Sequence, residues 1–203
     1  MPSMTARISL DHLNTCKPGA FCAALADIWE HAPWVAESVV NQRPFASIES
    51  LHKAMVNVVA RMGEAERIAF YAGHPELGGE DARRGTMTAS SVAEQGTLAL
   101  EQLDAQDAKR WDALNQAYRA RFGFPFILCI RRHTRESALL AFRQRLEQDR
   151  ATELANALDE IAAITRLRLD RRLTNPGQPS EQGASIPTSN PTTNPPSRPE
   201  ISP

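Results

Sequence analysis

The chain has 203 residues, 42% of them apolar, with 23 Lys and Arg against 24 Asp and Glu. That is the size of one ordinary domain with enough apolar matter for a core, and its balanced charge argues against a nucleic-acid partner and against an acidic, unfolded chain. No apolar run approaches the roughly 18 to 20 residues that span a bilayer, no signal-peptide pattern opens the chain, and Cys16, Cys22 and Cys129 form neither a disulfide framework nor a zinc-type pair, so a soluble, cytoplasmic protein without a membrane partner is expected.

In chain order, the apolar spacing is helical almost throughout. Phe21, Leu25, Ile28 and Trp29 share a face, and Pro33 sits where a helix would begin, after a break at His31 and Ala32. Ile48, Leu51, Met55, Val58, Val59 and Met62 make a second stripe, and Trp111, Leu114, Tyr118 and Phe122 a third. Thr134 fits an N-cap before Arg135. Leu139, Phe142 and Leu146, then Leu154, Leu158, Ile161, Ile164 and Leu167, mark two closing helices.

An all-α fold is therefore predicted, a compact single-domain helical bundle. One segment departs from the pattern, the apolar run 122–130, in which Gly123 and Pro125 disfavour a helix. It reads as extended, either a buried connection or a pocket wall whose backbone groups bind a small polar ligand. From Asn175 to Pro203, eight of the 14 prolines occur with Ser, Thr and Asn and almost no large apolar side chain. Residues 175–203 are thus expected to be a disordered tail, and residues 1–174 the folded domain.

Few residues suggest chemistry. His74 lies in the turn-forming Gly73-His-Pro-Glu-Leu-Gly-Gly79, where it reads either as a solvated loop histidine or as an acid/base group. Ser91-Val-Ala-Glu94 reads as a capping box, with a functional alternative in which Glu94 orients an imidazole and Gln95 offers a donor and an acceptor to a urea-like group. Arg166, Arg168, Arg171 and Arg172 crowd the end of the last helix, where cations complement the dipole; for Arg168 the alternative is a bidentate clamp on a carboxylate. There is no Gly-rich phosphate loop, no His-x-Glu or His-Glu-x-x-His metal pattern and no nucleophile elbow.

Taken in order, several stretches resemble the 2-oxo-4-hydroxy-4-carboxy-5-ureidoimidazoline (OHCU) decarboxylase family. They are the Phe21 helix leading into Glu30-His-Ala-Pro-Trp-Val-Ala-Glu37, then Gly73-His-Pro-Glu-Leu77, Ser91-Val-Ala-Glu-Gln95, Leu114-Asn-Gln-Ala-Tyr118 with Phe122-Gly-Phe-Pro-Phe-Ile127, and Glu160-Ile-Ala-Ala-Ile-Thr-Arg-Leu-Arg-Leu169. The match spans about residues 20 to 172. Glu76 stands where Asp is common in that family, and Gly78-Gly79 replaces a stretch that is often Ala-rich.

The resemblance implies an all-helical homodimer that acts without metal or organic cofactor. It implies a ureidoimidazoline substrate, decarboxylated to (S)-allantoin and CO2 in urate breakdown. It implies His74 as the acid/base group, Glu94 as the residue fixing the imidazole and Arg168 as a stabiliser of negative charge. Substrate binding would fall to Pro75, Ser91 and Gln95 and to the backbone of Phe126, Ile127, Leu128, Cys129 and Ile130. Two other readings stay open: a related ureide-pathway enzyme acting on another hydantoin or ureido acid, and a helical interaction protein without catalysis.

Overall fold

Most helices begin where a short polar side chain takes up a backbone N–H that the first turn leaves free. A computed structural model describes residues 7–79, 88–98 and 103–177. Helix α1 (Leu10–Thr15) starts at Ser9, whose hydroxyl accepts from the His12 N–H, and α2 (Pro18–Leu25) starts at a proline. Helix α3 (Trp34–Val39) follows Pro33, where the sequence places a helix start. Ser47 and Ser50 form a reciprocal capping box on α4 (Ile48–Ala60), followed by α5 (Glu64–Ala72).

Thr88 caps α6 (Ala89–Gln95) and Asp104 caps α7 (Ala105–Phe122). Thr134 caps α8 (Arg135–Leu146), as its position suggests, and Asp149 caps α9 (Arg150–Arg172). The fold is helical, as expected, and among the described residues no helix is long and apolar enough to cross a membrane.

One feature has no sequence signal. Ile8–Ser9 (β1) pairs in parallel with Leu173–Thr174 (β2), Ile8 opposite Leu173, and ties the start of the described chain to the end of α9. Arg7 reinforces the join by donating to the carbonyls of Leu173 and Asp170.

The core lies between α9, α4 and α3, with α8 against α7. The Phe21 stripe outruns its helix: α2 stops at Leu25, and Ile28 and Trp29 reach the same core through turns. On α9 the buried face runs Leu154, Leu158, Ile161, Thr165, Arg168, at helical spacing, so the stripe that starts apolar ends in a hydroxyl and a guanidinium. That continuation carries the core face of α9 into the candidate site.

The segment after α7 is non-helical, as Gly123 and Pro125 suggest, but over 123–129 and not the whole of 122–130: Phe122 closes α7 and Ile130 opens a 3-10 turn, Ile130–Arg132. Gly123 ends the helix at φ 87, a left-handed cap that a side chain would strain, and its N–H reaches the Arg119 carbonyl. Residues 124–130 are all buried, so their backbone groups need partners. Arg145 Nη1 donates to the Ile127 carbonyl at 2.7 Å, and Glu160 Oε2 accepts from the Cys129 N–H at 2.7 Å. Phe126 stacks on Phe142 with ring centroids 4.0 Å apart, while the Arg145 guanidinium covers its ring. The segment is both a buried connection and a wall of the cavity described next.

Candidate active site

His74 is set by the end of α5. Its N–H closes the last turn on the Tyr71 carbonyl, and its ring meets the edge of Phe70 at 5.3 Å. The loop carrying it is fastened to α7, because Asn115 donates to the Leu77 carbonyl and Arg119 pairs with Glu76. Nδ1 of His74 is enclosed with no hydrogen-bond partner among the described residues. Burial, with Arg168 acting in the same direction, pushes the imidazole down to about 4, against the opposing pull of Glu30. Near neutral pH the ring is therefore uncharged, able to take a proton but not holding a spare one.

Arg168 enters from the buried face of α9. Nε and Nη2 form a fork on Glu94, at 2.9 and 2.7 Å, and Nη1 reaches Glu30 Oε2 at 2.9 Å and the Ile28 carbonyl at 3.4 Å. Burial pushes the guanidinium down, but the two carboxylates outweigh it and hold it above its ordinary value. Of its five N–H groups these bonds use four, so toward these partners it keeps a single N–H on Nη2 and not the free fork that the sequence suggests. Arg166, two positions earlier on α9, forms an i, i+4 pair with Asp170 at 3.0 Å and does not line the cavity.

The start of α6 supplies hydroxyls. Thr88, not Ser91, is its N-cap, and the Thr88 hydroxyl accepts from the Ser91 N–H. The capping-box reading of Ser91 and Glu94 thus gives way to a different use: Ser91 turns its hydroxyl to Glu30 at 3.0 Å, and Glu94 grips Arg168. Thr88 also donates to Glu30, at 2.7 Å. Burial pushes the Glu30 carboxyl up, yet the Thr88 hydroxyl, Arg168 and Ser91 overcome it and hold it below its ordinary value.

Glu30 is the residue that sequence reasoning missed. It lies in Glu30-His-Ala-Pro-Trp-Val-Ala-Glu37 among apolar Ile28, Trp29 and Ala32, and that setting was the signal that its carboxylate needs internal partners.

One cavity brings these groups together. His74, Pro75, Ser91, Glu94, Arg168 and residues Phe126 to Ile130 all line it, with Glu30, Leu77, Ile161, Ile164 and Leu167. The side chain of Gln95 lies outside the described residues. On this wall the Cys129 N–H is taken by Glu160, whereas those of Ile127 and Leu128 have no partner among the described residues. Among the described residues no group of three or more His, Cys, Asp or Glu side chains is arranged to hold a metal ion. The arrangement places a neutral imidazole beside an ionic cluster inside apolar walls. Such a set can move a proton and orient a small polar molecule while limiting water.

The family model for OHCU decarboxylase matches residues 14–170. The chain is 33% identical over 168 residues to the 2-oxo-4-hydroxy-4-carboxy-5-ureidoimidazoline decarboxylase of Haloferax volcanii, covering 83% of this chain and 98% of that protein. It is 36% identical over 160 residues to the enzyme of the same name in Mus musculus, covering 77% and 88% of the two chains. Among solved structures it resembles a crystal structure of (S)-allantoin synthase, with a TM-score of 0.66 and 25% identity over 82% of this chain and 54% of that one.

Proposed function

The chain belongs to the OHCU decarboxylase family, and on that premise we propose that its cavity removes CO2 from 2-oxo-4-hydroxy-4-carboxy-5-ureidoimidazoline to give (S)-allantoin. The protein is a carboxy-lyase of urate degradation. The observation that carries the reading of the site is the gathering of His74, Ser91, Glu94 and Arg168 around one apolar cavity.

In the reaction the bond from the hydroxyl-bearing ring carbon to the carboxylate breaks, and its electron pair moves into the neighbouring C=N. CO2 leaves, and the former imine nitrogen takes up a proton. The hydroxyl then gives up its proton as its carbon becomes a carbonyl, and the adjacent ring carbon receives a proton on one face. The neutral His74 is the acceptor for the hydroxyl proton. The Ile127 and Leu128 N–H groups and the remaining N–H of Arg168 support the oxygen and nitrogen atoms on which charge grows. Glu94 acts through Arg168, fixing the guanidinium by its fork.

Two finer readings, residence in the cytoplasm and a homodimer, follow the family resemblance.

The deciding experiment adds purified protein to freshly generated substrate. Faster loss of substrate with CO2 release and an excess of the (S) product is expected. Substrate decay at the spontaneous rate to a racemate would overturn the proposal.

A further inference from the structure

Glu30 does more than neutralise a neighbour. Its side chain is 3% exposed, and both oxygens are engaged: Oε1 by the hydroxyls of Thr88 and Ser91, Oε2 by Arg168 Nη1. An ionised carboxylate only accepts, so the hydroxyls donate to it, Thr88 at 2.7 Å and Ser91 at 3.0 Å, both nearer than the 3.1 Å between the two hydroxyls. Ser91 is then left with lone pairs alone to present to the cavity. An N–H of a ligand suits such a group; a carbonyl does not. Glu30 also holds the edge of the guanidinium that Glu94 does not reach, so the direction of the last free N–H of Arg168 depends on both carboxylates.

We propose that Glu30 is a positioning residue of the decarboxylation, fixing Ser91 as an acceptor for a ureido N–H of the substrate and holding Arg168 in register with Glu94. The inference rests on the decarboxylase reading above. Glu30 need not touch the substrate; it works by how it turns two side chains that line the cavity.

The test is Glu30→Gln, which keeps the shape but removes the charge and places a donor among three donors. The substitution is expected to lower kcat/KM by about 10²-fold, the scale of a small misplacement of binding groups. The acid limb of the pH profile should move to lower pH, because the anion that favours a charged His74 is gone. A purely structural residue would lower the melting temperature and leave the limb in place.

Wild-type kcat/KM in Glu30→Gln, or an unmoved acid limb, overturns the proposal. If Glu30→Gln does not fold, Glu30→Asp carries the test, since it withdraws the carboxylate by about one C–C bond, ~1.5 Å. Ser91→Ala should then cost much less when combined with Glu30→Asp than in the wild type, as expected for groups acting as a unit. Full activity of Glu30→Asp, or equal cost of Ser91→Ala in both backgrounds, overturns the proposal. Absence of any wild-type turnover is a separate outcome, and overturns the decarboxylase reading itself.

Discussion

Two buried arginine–glutamate constellations stand in the same helical frame, Arg145 with Glu153 and Arg168 with Glu30 and Glu94, and only the second reaches the cavity. The side chains are similarly enclosed, 11% and 0% exposed in the first pair and 9% and 3% for Arg168 and Glu30. Burial works against the charge of each member of the first pair, pushing Glu153 up and Arg145 down, while the fork of Arg145 Nε and Nη2 on the Glu153 carboxylate opposes it. Around Arg168 the partners win: Glu30 is held down and the guanidinium up.

The difference is in how many carboxylates each guanidinium serves and in what else it holds. Arg168 has two carboxylates, one of them supplied with two hydroxyl donors, whereas Arg145 has one carboxylate and otherwise braces the Ile127 carbonyl. Tyr118 and Asn156 complete the Glu153 shell, and no lining residue of the cavity belongs to that pair. The first constellation holds the core and the extended wall together; the second presents fixed charge to a cavity.

The largest expected effect breaks the structural pair. Arg145→Ala leaves Glu153 buried without its cation and frees the Ile127 carbonyl, so denaturant unfolding should show a loss of about 3 to 5 kcal/mol. A loss under about 1 kcal/mol would erase the contrast between the two regions.

Changes at the cavity should act on rate and much less on stability. His74→Asn is expected to reduce turnover by roughly 10² to 10⁴-fold, the range for an acid/base group. It should also alter the pH dependence of folding. The wild-type imidazole lies at about 4 against an ordinary 6.5, so the unfolded chain binds the extra proton between these values. Stability present above pH 6.5 is lost as pH falls toward 4, by about 2 kcal/mol at pH 5. Measured against His74→Asn, which lacks this group, the carboxylates and His52 cancel. Parallel stability curves for the two proteins would contradict a depressed His74.

A smaller contrast sits on one helix. Arg168→Lys loses the fork on Glu94 and should slow turnover by roughly 10- to 100-fold, matching about 1.5 to 3 kcal/mol for a hydrogen bond to a charged group. Arg166→Lys touches only a partly exposed pair with Asp170 and should change the rate by less than about twofold. The reverse ranking would move the site to the other face of α9. Smallest of all, ending the chain after Thr174 should leave melting temperature and turnover nearly unchanged, since residues 175–203 offer little apolar surface to bury. Loss of activity on truncation would show that the tail contributes to the folded enzyme.

Periodic apolar residues were legible because helix geometry repeats every few residues: the stripes of α4, α7, α8 and α9 and the caps at Pro33 and Thr134 follow from local chemistry. Gly123 and Pro125 announced the extended wall for the same reason. The β1–β2 pairing gave no signal, as two-residue strands joined across the length of the chain carry no period. The residues lining the cavity were legible through their ordered resemblance to a family, but not their partners.

Sequence by itself determined where helices form, where the chain must extend and which residue types could do chemistry, since each depends on neighbours within a turn or two. Only the tertiary structure decided that Arg168 serves Glu94 and Glu30 at once, that Ser91 turns its hydroxyl to Glu30, and that Glu30 belongs to the site at all. Those bonds join residues 61 to 138 positions apart, and the charge state of each group is set by burial and partners that exist only when the helices have packed.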